Sequence, residues 1–255
     1  MMQSQWMIGA LALGIGTVLG MAAWHTIARV PEQMYDEWHR DALDVLARYK
    51  HIQPDPTQQD HASEVMTPKA PHPAGKLAVL LLCALLSVWA YAVHGWTMLY
   101  ALSLAFMWFG VVLGGIDLRV QLLPDRLVLP LGMIGLFANG FGLITSASDA
   151  SFGAVIGFVA LWGINALYRL LRGHDGMGLG DAKLLAACGA WLGVHQLPVV
   201  VLIAATLGVL VGIMHQMRLG SSQPFAFGPY LIIAAWLSLL YGDQITQLYL
   251  GLFEQ

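Results

Sequence analysis

The sequence predicts an all-α, polytopic membrane protein of about eight transmembrane helices, and three observations predict it. Of 255 residues, 58% are hydrophobic and only 11% are charged, where a soluble domain carries about 25% charged residues. Apolar runs close to the roughly 20 residues needed to cross a bilayer recur along the chain. All twelve Lys and Arg residues are bunched in a few places between those runs. The net charge of −3 and the lack of a basic block give no footprint for nucleic acid, so no nucleic-acid partner is expected and membrane lipid is.

Taken in order, the clear spans are residues 6–28, 77–93, 96–116, 127–145, 152–168 and 199–217. The first lacks a basic leading region and a small-residue cleavage site, and further spans follow it. It is therefore expected to stay as a helix rather than act as a secretory signal. Two more segments are shorter. Residues 184–194 make about half a span, and residues 229–241 are interrupted afterwards by Asp243 and Gln244.

Charge fixes the expected topology. Arg29, Arg40, Arg48, Lys50, Lys69 and Lys76 lie between the first two spans, and Arg119 and Arg126 between the third and fourth. Arg169, Arg172 and Lys183 flank the loop before the short segment, and Arg218 follows the span at 199–217. The intervening loops carry no Lys or Arg. The positive-inside rule puts all four regions in the cytoplasm provided that 184–194 crosses. Eight helices with both termini outside follow, with Asp117 and Asp181 at the cytoplasmic face. The expected organisation is a first transmembrane helix (1–28), a short cytoplasmic segment (29–76) and a membrane-embedded domain (77–255).

Within that cytoplasmic segment, apolar residues of 32–49 recur at spacings of three and four, which predicts an amphipathic helix beginning at Pro31. Residues 53–74, rich in Pro, Gln, Asp and His, read as a flexible linker. Its neighbourhood holds His39, His51, His61 and His72 without ligand-like spacing. The two cysteines, Cys83 and Cys188, lie in apolar runs and form no CxxC pair, so they read as buried thiols.

Two aspartates carry the chemistry. Asp117 closes an apolar run in Gly114-Gly115-Ile116-Asp117-Leu118-Arg119, and Asp181 follows Gly176-Met177-Gly178-Leu179-Gly180. A carboxylate at a bilayer edge is costly to desolvate and usually has a job. Asp181 also fits a carboxylate at a helix start, whereas Asp117, at the end of its span, faces an unfavourable helix dipole. Glycines permit unusual backbone angles and close approach, so the run can hold one carboxylate beside the other and leave room for an extended substrate strand. No GK[ST] follows it, and a phosphate loop is not supported. Two neighbouring carboxyls sharing one proton can activate water, one as base and the other as acid. Nucleophilic catalysis finds no support: Ser151 and His195 lie toward the other face, and Cys83 has no evident histidine.

These motifs resemble those of the type IV prepilin peptidases, a family of GxGD intramembrane aspartyl proteases. The second motif reads Gly178-Leu179-Gly180-Asp181-Ala182-Lys183, the first runs from Asp117 through Leu123-Pro124-Asp125-Arg126 to Pro130, and Phe227-Gly228-Pro229-Tyr230 matches a later one. The resemblance covers the chain from about residue 116 onward. It implies the GxGD protease fold, with Asp117 and Asp181 catalytic and Gly178, Gly180, Lys183, Pro124 and Asp125 supporting them. Asp125 competes with Asp117 for the first catalytic place, but after Pro124 it fits a helix-opening N-cap. Lys183 is placed either to tune Asp181 or to mark the membrane boundary, and Asp175 reads as solvated.

The resemblance further implies removal of a short basic leader from type IV prepilins or pseudopilins, at the inner membrane of a bacterium. Proteolysis would need no cofactor. Many members of the family also methylate the new N-terminus with S-adenosylmethionine, and their usual form carries a zinc-binding tetracysteine insert after a Phe-Leu-Asn-type motif. This chain has Met21 to Pro31 at that place, with only Arg29-Val30-Pro31 reminiscent, and no cysteine in the insert. No zinc is expected, and S-adenosylmethionine only if methyl transfer is retained. The rivals from other classes are a proton- or ion-coupled transporter, with Asn139 and Asn165 lining a pathway, and a non-catalytic pilus or secretion scaffold.

Overall fold

The computed structural model describes residues 2–48, 73–174, 176–219 and 226–251. Among them there are eight α-helices, one short 3₁₀ turn and no strand. They are α1 (Met2–Arg48), α2 (Pro73–His94), α3 (Met98–Val120), α4 (Asp125–Gly140), α5 (Ala147–Arg172), α6 (Leu179–Leu192), α7 (Leu197–Leu219) and α8 (Gly228–Gly251). Five are long and apolar enough to cross a membrane by length and composition, namely α1, α2, α3, α5 and the helix ending the 194–214 stretch. The other three are shorter or broken. The 14-residue α6 spans about 21 Å at 1.5 Å per residue, less than the roughly 30 Å hydrocarbon core. Helix α8 departs from helical angles at Tyr241, close to the predicted interruption, and then resumes.

Tight loops make sequential helices antiparallel, so their ends gather at two poles. One pole holds the end of α3 and the starts of α4, α6 and α8. At the other, Asn139 joins α4 to the end of α6, donating to the carbonyls of Ala190 and Trp191 at 2.9 Å each. Its Oδ1 accepts the N–H groups of Ile144 and Thr145. This buried amide is fully used, and it stops α4 at Gly140, five residues short of the predicted span end at 145. The pathway role considered for Asn139 is thereby replaced by a structural one.

The two closest helix pairs are each built on a small-residue stripe. Gly153 and Gly157 on α5 form a GxxxG pattern facing α6, and a Cβ on Gly157 would sit 2.7 Å from the Leu185 carbonyl oxygen. Gly153 and Gly189 lie backbone to backbone, so that a Cβ on either would overlap the other's carbonyl. Gly16 and Gly20 repeat the pattern between α1 and α2, against Cys83, Ala84 and Leu80. Hydrocarbon gives no hydrophobic drive between helices, so close backbone packing supplies the association. Gly189→Val should therefore cost at least about 1–3 kcal/mol through overpacking. A thermal melt in detergent checks it, and an unchanged midpoint would refute this account of the seam. Cys83 and Cys188 are buried free thiols.

One boundary differs from expectation. The structure has no helix start at Pro31: α1 runs unbroken through it to Arg48, joining the predicted first span and the amphipathic stretch. Proline at 31 removes the donor that would have served the carbonyl of Ile27, four residues back. That carbonyl accepts from Arg119 Nη1 at 2.6 Å instead, so the proline is tolerated because α3 supplies the missing donor. Further along, Glu37 pairs with both terminal nitrogens of Arg126 at 2.8 and 3.0 Å, fastening α1 to the start of α4. The linker reading at 53–74 falls almost wholly outside the described residues, as do His51, His61, His72 and Asp175.

Candidate active site

The site forms where the end of α3 meets the starts of α6 and α8. Asp117 lies one turn inside the end of α3 and is 4% exposed. Its own helix presents carbonyls there, which disfavours an anion. Another helix reverses that balance: the backbone N–H of Gly228, the first residue of α8, donates to Asp117 Oδ2 at 3.0 Å. The positive end of the α8 dipole therefore faces the carboxylate. Pro229 fits next in line, since a first-turn proline lacks an N–H that the helix would leave unmatched.

Asp181 occupies the third position of α6, with Gly178 as the N-cap. It is half-buried and close enough to Asp117 for the two charges to interact. The two predicted aspartates are thus brought together, each at the N-terminus of a helix. Burial and mutual repulsion oppose a second negative charge, while the two helix ends favour the first. Such a pair holds one proton and one charge.

Leu123 keeps the three ends in register. After α3, Gln121 takes the left-handed conformation (φ 54°, ψ 37°) and its N–H donates to the Asp117 carbonyl at 2.8 Å. This turns the chain back so that Leu123 lies between two glycines. A Cβ on Gly180 would sit 3.0 Å from Leu123 Cβ, and one on Gly228 would sit 3.4 Å from Leu123 Cδ1.

The glycine run works differently from expectation. None of Gly176, Gly178 and Gly180 has a positive φ; the left-handed residue nearby is Gly173, which caps α5. Two of the three provide room instead, Gly176 against the Tyr168 ring and Gly180 against Leu123. Asn165 Oδ1 fixes the loop to α5 by accepting the N–H groups of Gly176 and Met177 at 2.9 and 3.0 Å. Asn165, considered above as a pathway residue, is therefore a loop anchor.

Asp125 and Lys183 engage each other rather than the dyad. Asp125 is the first helical residue of α4, and Pro124, not Asp125, takes the N-cap position. The lysine Nζ lies 2.8 and 2.7 Å from its two carboxylate oxygens, so Lys183 is committed away from Asp181. Both side chains are substantially exposed, where an ion pair is worth about 0.2–1 kcal/mol. Asp125→Asn should accordingly lower stability by less than about 1 kcal/mol and leave the dyad's chemistry running; a melt beside an activity assay checks both. Loss of activity would move Asp125 into the catalytic set.

Sequence reasoning missed the parts played by Leu123, by Asn165 and by the N–H of Gly228. Gly228 lay in a recognised motif, but no sequence pattern says that a backbone donor there reaches a side chain 111 residues away. Ser151 and His195 lie at the far pole, His195 3.7 Å from Asp149. Among the described residues no three His, Cys, Asp or Glu side chains gather as metal ligands.

The type IV leader peptidase family matches residues 104–213, a stretch containing both aspartates. Proteins named prepilin leader peptidase/N-methyltransferase are similar to the chain. That of Stutzerimonas stutzeri is 44% identical over 174 residues, 68% of this chain and 60% of its own length. That of Pseudomonas aeruginosa is 46% identical over 175 residues, with the same two shares. That of Xanthomonas campestris pv. campestris is 34% identical over 271 residues, 94% of this chain and 93% of its own. The chain thus spans about 60% of the length of several relatives it matches and nearly all of another. No solved structure matches it significantly.

Proposed function

Because the chain belongs to the type IV leader peptidase family, we propose that it is an aspartic endopeptidase that removes the leader from type IV prepilins or pseudopilins. The observation that carries this reading is the buried Asp117 carboxylate held by the α8 N-terminus within electrostatic reach of Asp181. The ionised aspartate takes a proton from water while the protonated one donates toward the scissile carbonyl, and no covalent intermediate forms. Asp117 and Asp181 are the catalytic pair. Gly180, Leu123 and Gly228 hold them in register.

The basic flanks support a dyad facing the cytoplasm with both termini on the other side, and the family likeness supports a bacterial inner membrane. Transport is the weaker reading, because its two intramembrane asparagines are spent on structural hydrogen bonds. Methyl transfer is left out of the proposal. S-adenosylmethionine would supply a methyl group to the new amine if that activity is retained, a step in which none of the residues named above is given a part.

The test is co-expression of the full chain with a prepilin in cells lacking other leader peptidases. A shortened pilin is expected, and its absence from cells in which the chain is stably inserted would overturn the assignment.

A further inference from the structure

At the start of the helix that carries Asp181, α5 and the loop before α6 enclose an open cleft of about 660 Å³. One wall is Trp162, Asn165 and Arg169 of α5, and the other is Met177, Gly178 and Leu179. Gly178 is the informative residue. Its backbone is extended (φ −70°, ψ 144°), a conformation open to any amino acid. A Cβ there would meet nothing outside its own loop closer than 4 Å; the nearest atom is the Gly180 nitrogen at 3.9 Å. Gly176 and Gly180 are required by neighbours within the fold, but Gly178 is not. As an N-cap it is also a weaker choice than serine or aspartate.

We propose that this cleft is the subsite that holds the extended substrate strand beside the scissile bond, and that Gly178 is bare so that the substrate backbone lies directly on it. The inference rests on the peptidase reading. Gly178 is three residues from Asp181, so a strand crossing it is delivered to the dyad. An extended, side-chain-free segment suits backbone-to-backbone approach of a peptide. The indole of Trp162, 47% exposed, and Leu179, 54% exposed, offer apolar contact.

The experiment measures kcat and KM for prepilin cleavage, with thermal midpoints, using the full chain in detergent as wild type, Gly178→Ser, Gly178→Val and Gly163→Ala. Gly163 has equally open space but lies outside the cleft. Serine is expected to keep or raise the midpoint by capping α6 while raising KM about tenfold or more, the effect of a methyl-sized group in a fitted pocket. Valine should raise KM further, and Gly163→Ala should change neither parameter. An unchanged KM in Gly178→Ser, or a loss of activity that follows a loss of stability, overturns the subsite while the peptidase reading stands. A wild type that cleaves no prepilin overturns both.

Discussion

Asparagine at position 117 or at position 181 is expected to reduce leader removal by about 10²–10⁴-fold or more with the protein stably inserted. Each substitution keeps size and polarity but cannot carry the shared proton. The fold survives because the groups that position Asp117 are indifferent to its charge: the Gly228 N–H can donate to an amide oxygen as it does to Oδ2 at 3.0 Å. What is lost is the pairing of one acid with one base. Wild-type activity should rise and fall with pH as the pair first sheds its second proton and then its last, and neither variant should retain that profile. Asp125→Asn serves as the control, since its carboxylate is spent on Lys183. Substantial processing by Asp117→Asn or Asp181→Asn would end the two-carboxylate mechanism, and the transporter and scaffold readings would then need reopening.

The fold was legible where physics acts locally along the chain. A bilayer demands long apolar runs, and the runs at 77–93 and 199–217 reappear as α2 and α7 with ends moved by a few residues. The half-span at 184–194 proved to be a helix beginning five residues earlier, because Gly178 to Asp181 already form its first turn. The error at Pro31 arose because proline was judged within its own helix. The donor that makes it tolerable comes from Arg119 on another one. The GxxxG stripes of α1 and α5 could have been read from spacing, since Gly16 and Gly20, and Gly153 and Gly157, stand four apart; their partners across the interface could not.

The candidate site divides along the same line. The two aspartates are conspicuous as carboxylates at the edges of apolar runs, and the glycines before Asp181 are conspicuous as a cluster. Their separate duties are not legible, because three glycines in one run look alike in sequence. In space Gly176 faces a ring, Gly180 faces Leu123 and Gly178 faces open space. Lys183 shows the opposite trap: two residues from Asp181 along the chain, its ammonium is held by Asp125 on α4. On a helix, neighbours two apart point in different directions.

Gly228→Ala should be the most damaging substitution that leaves every ionisable group in place. The added Cβ would stand 2.7 Å from Asp117 Oδ2 and 3.4 Å from Leu123 Cδ1. Asp117 is 4% exposed and has no solvent into which to retreat, so the carboxyl must turn away from the α8 N-terminus and lose its backbone donor. A misplacement on the order of 1 Å at a reacting group can cost about 10²-fold in rate. The loss should appear in kcat with KM little changed, because the strand-binding loop at 176–179 is untouched. The pH profile should remain two-limbed, since both carboxyls are still present. Stability should fall as well, by about 1–3 kcal/mol for a buried acceptor deprived of its donor, so the rate is compared on protein shown to be folded. The strongest check is a double-variant comparison: if Gly228 acts only through Asp117, adding Gly228→Ala to Asp117→Asn should cost far less than Gly228→Ala costs alone. Full activity in Gly228→Ala, or additive losses in the pair, would show that the helix N-terminus does not position the carboxylate, and the burial of Asp117 would then need another source of compensation.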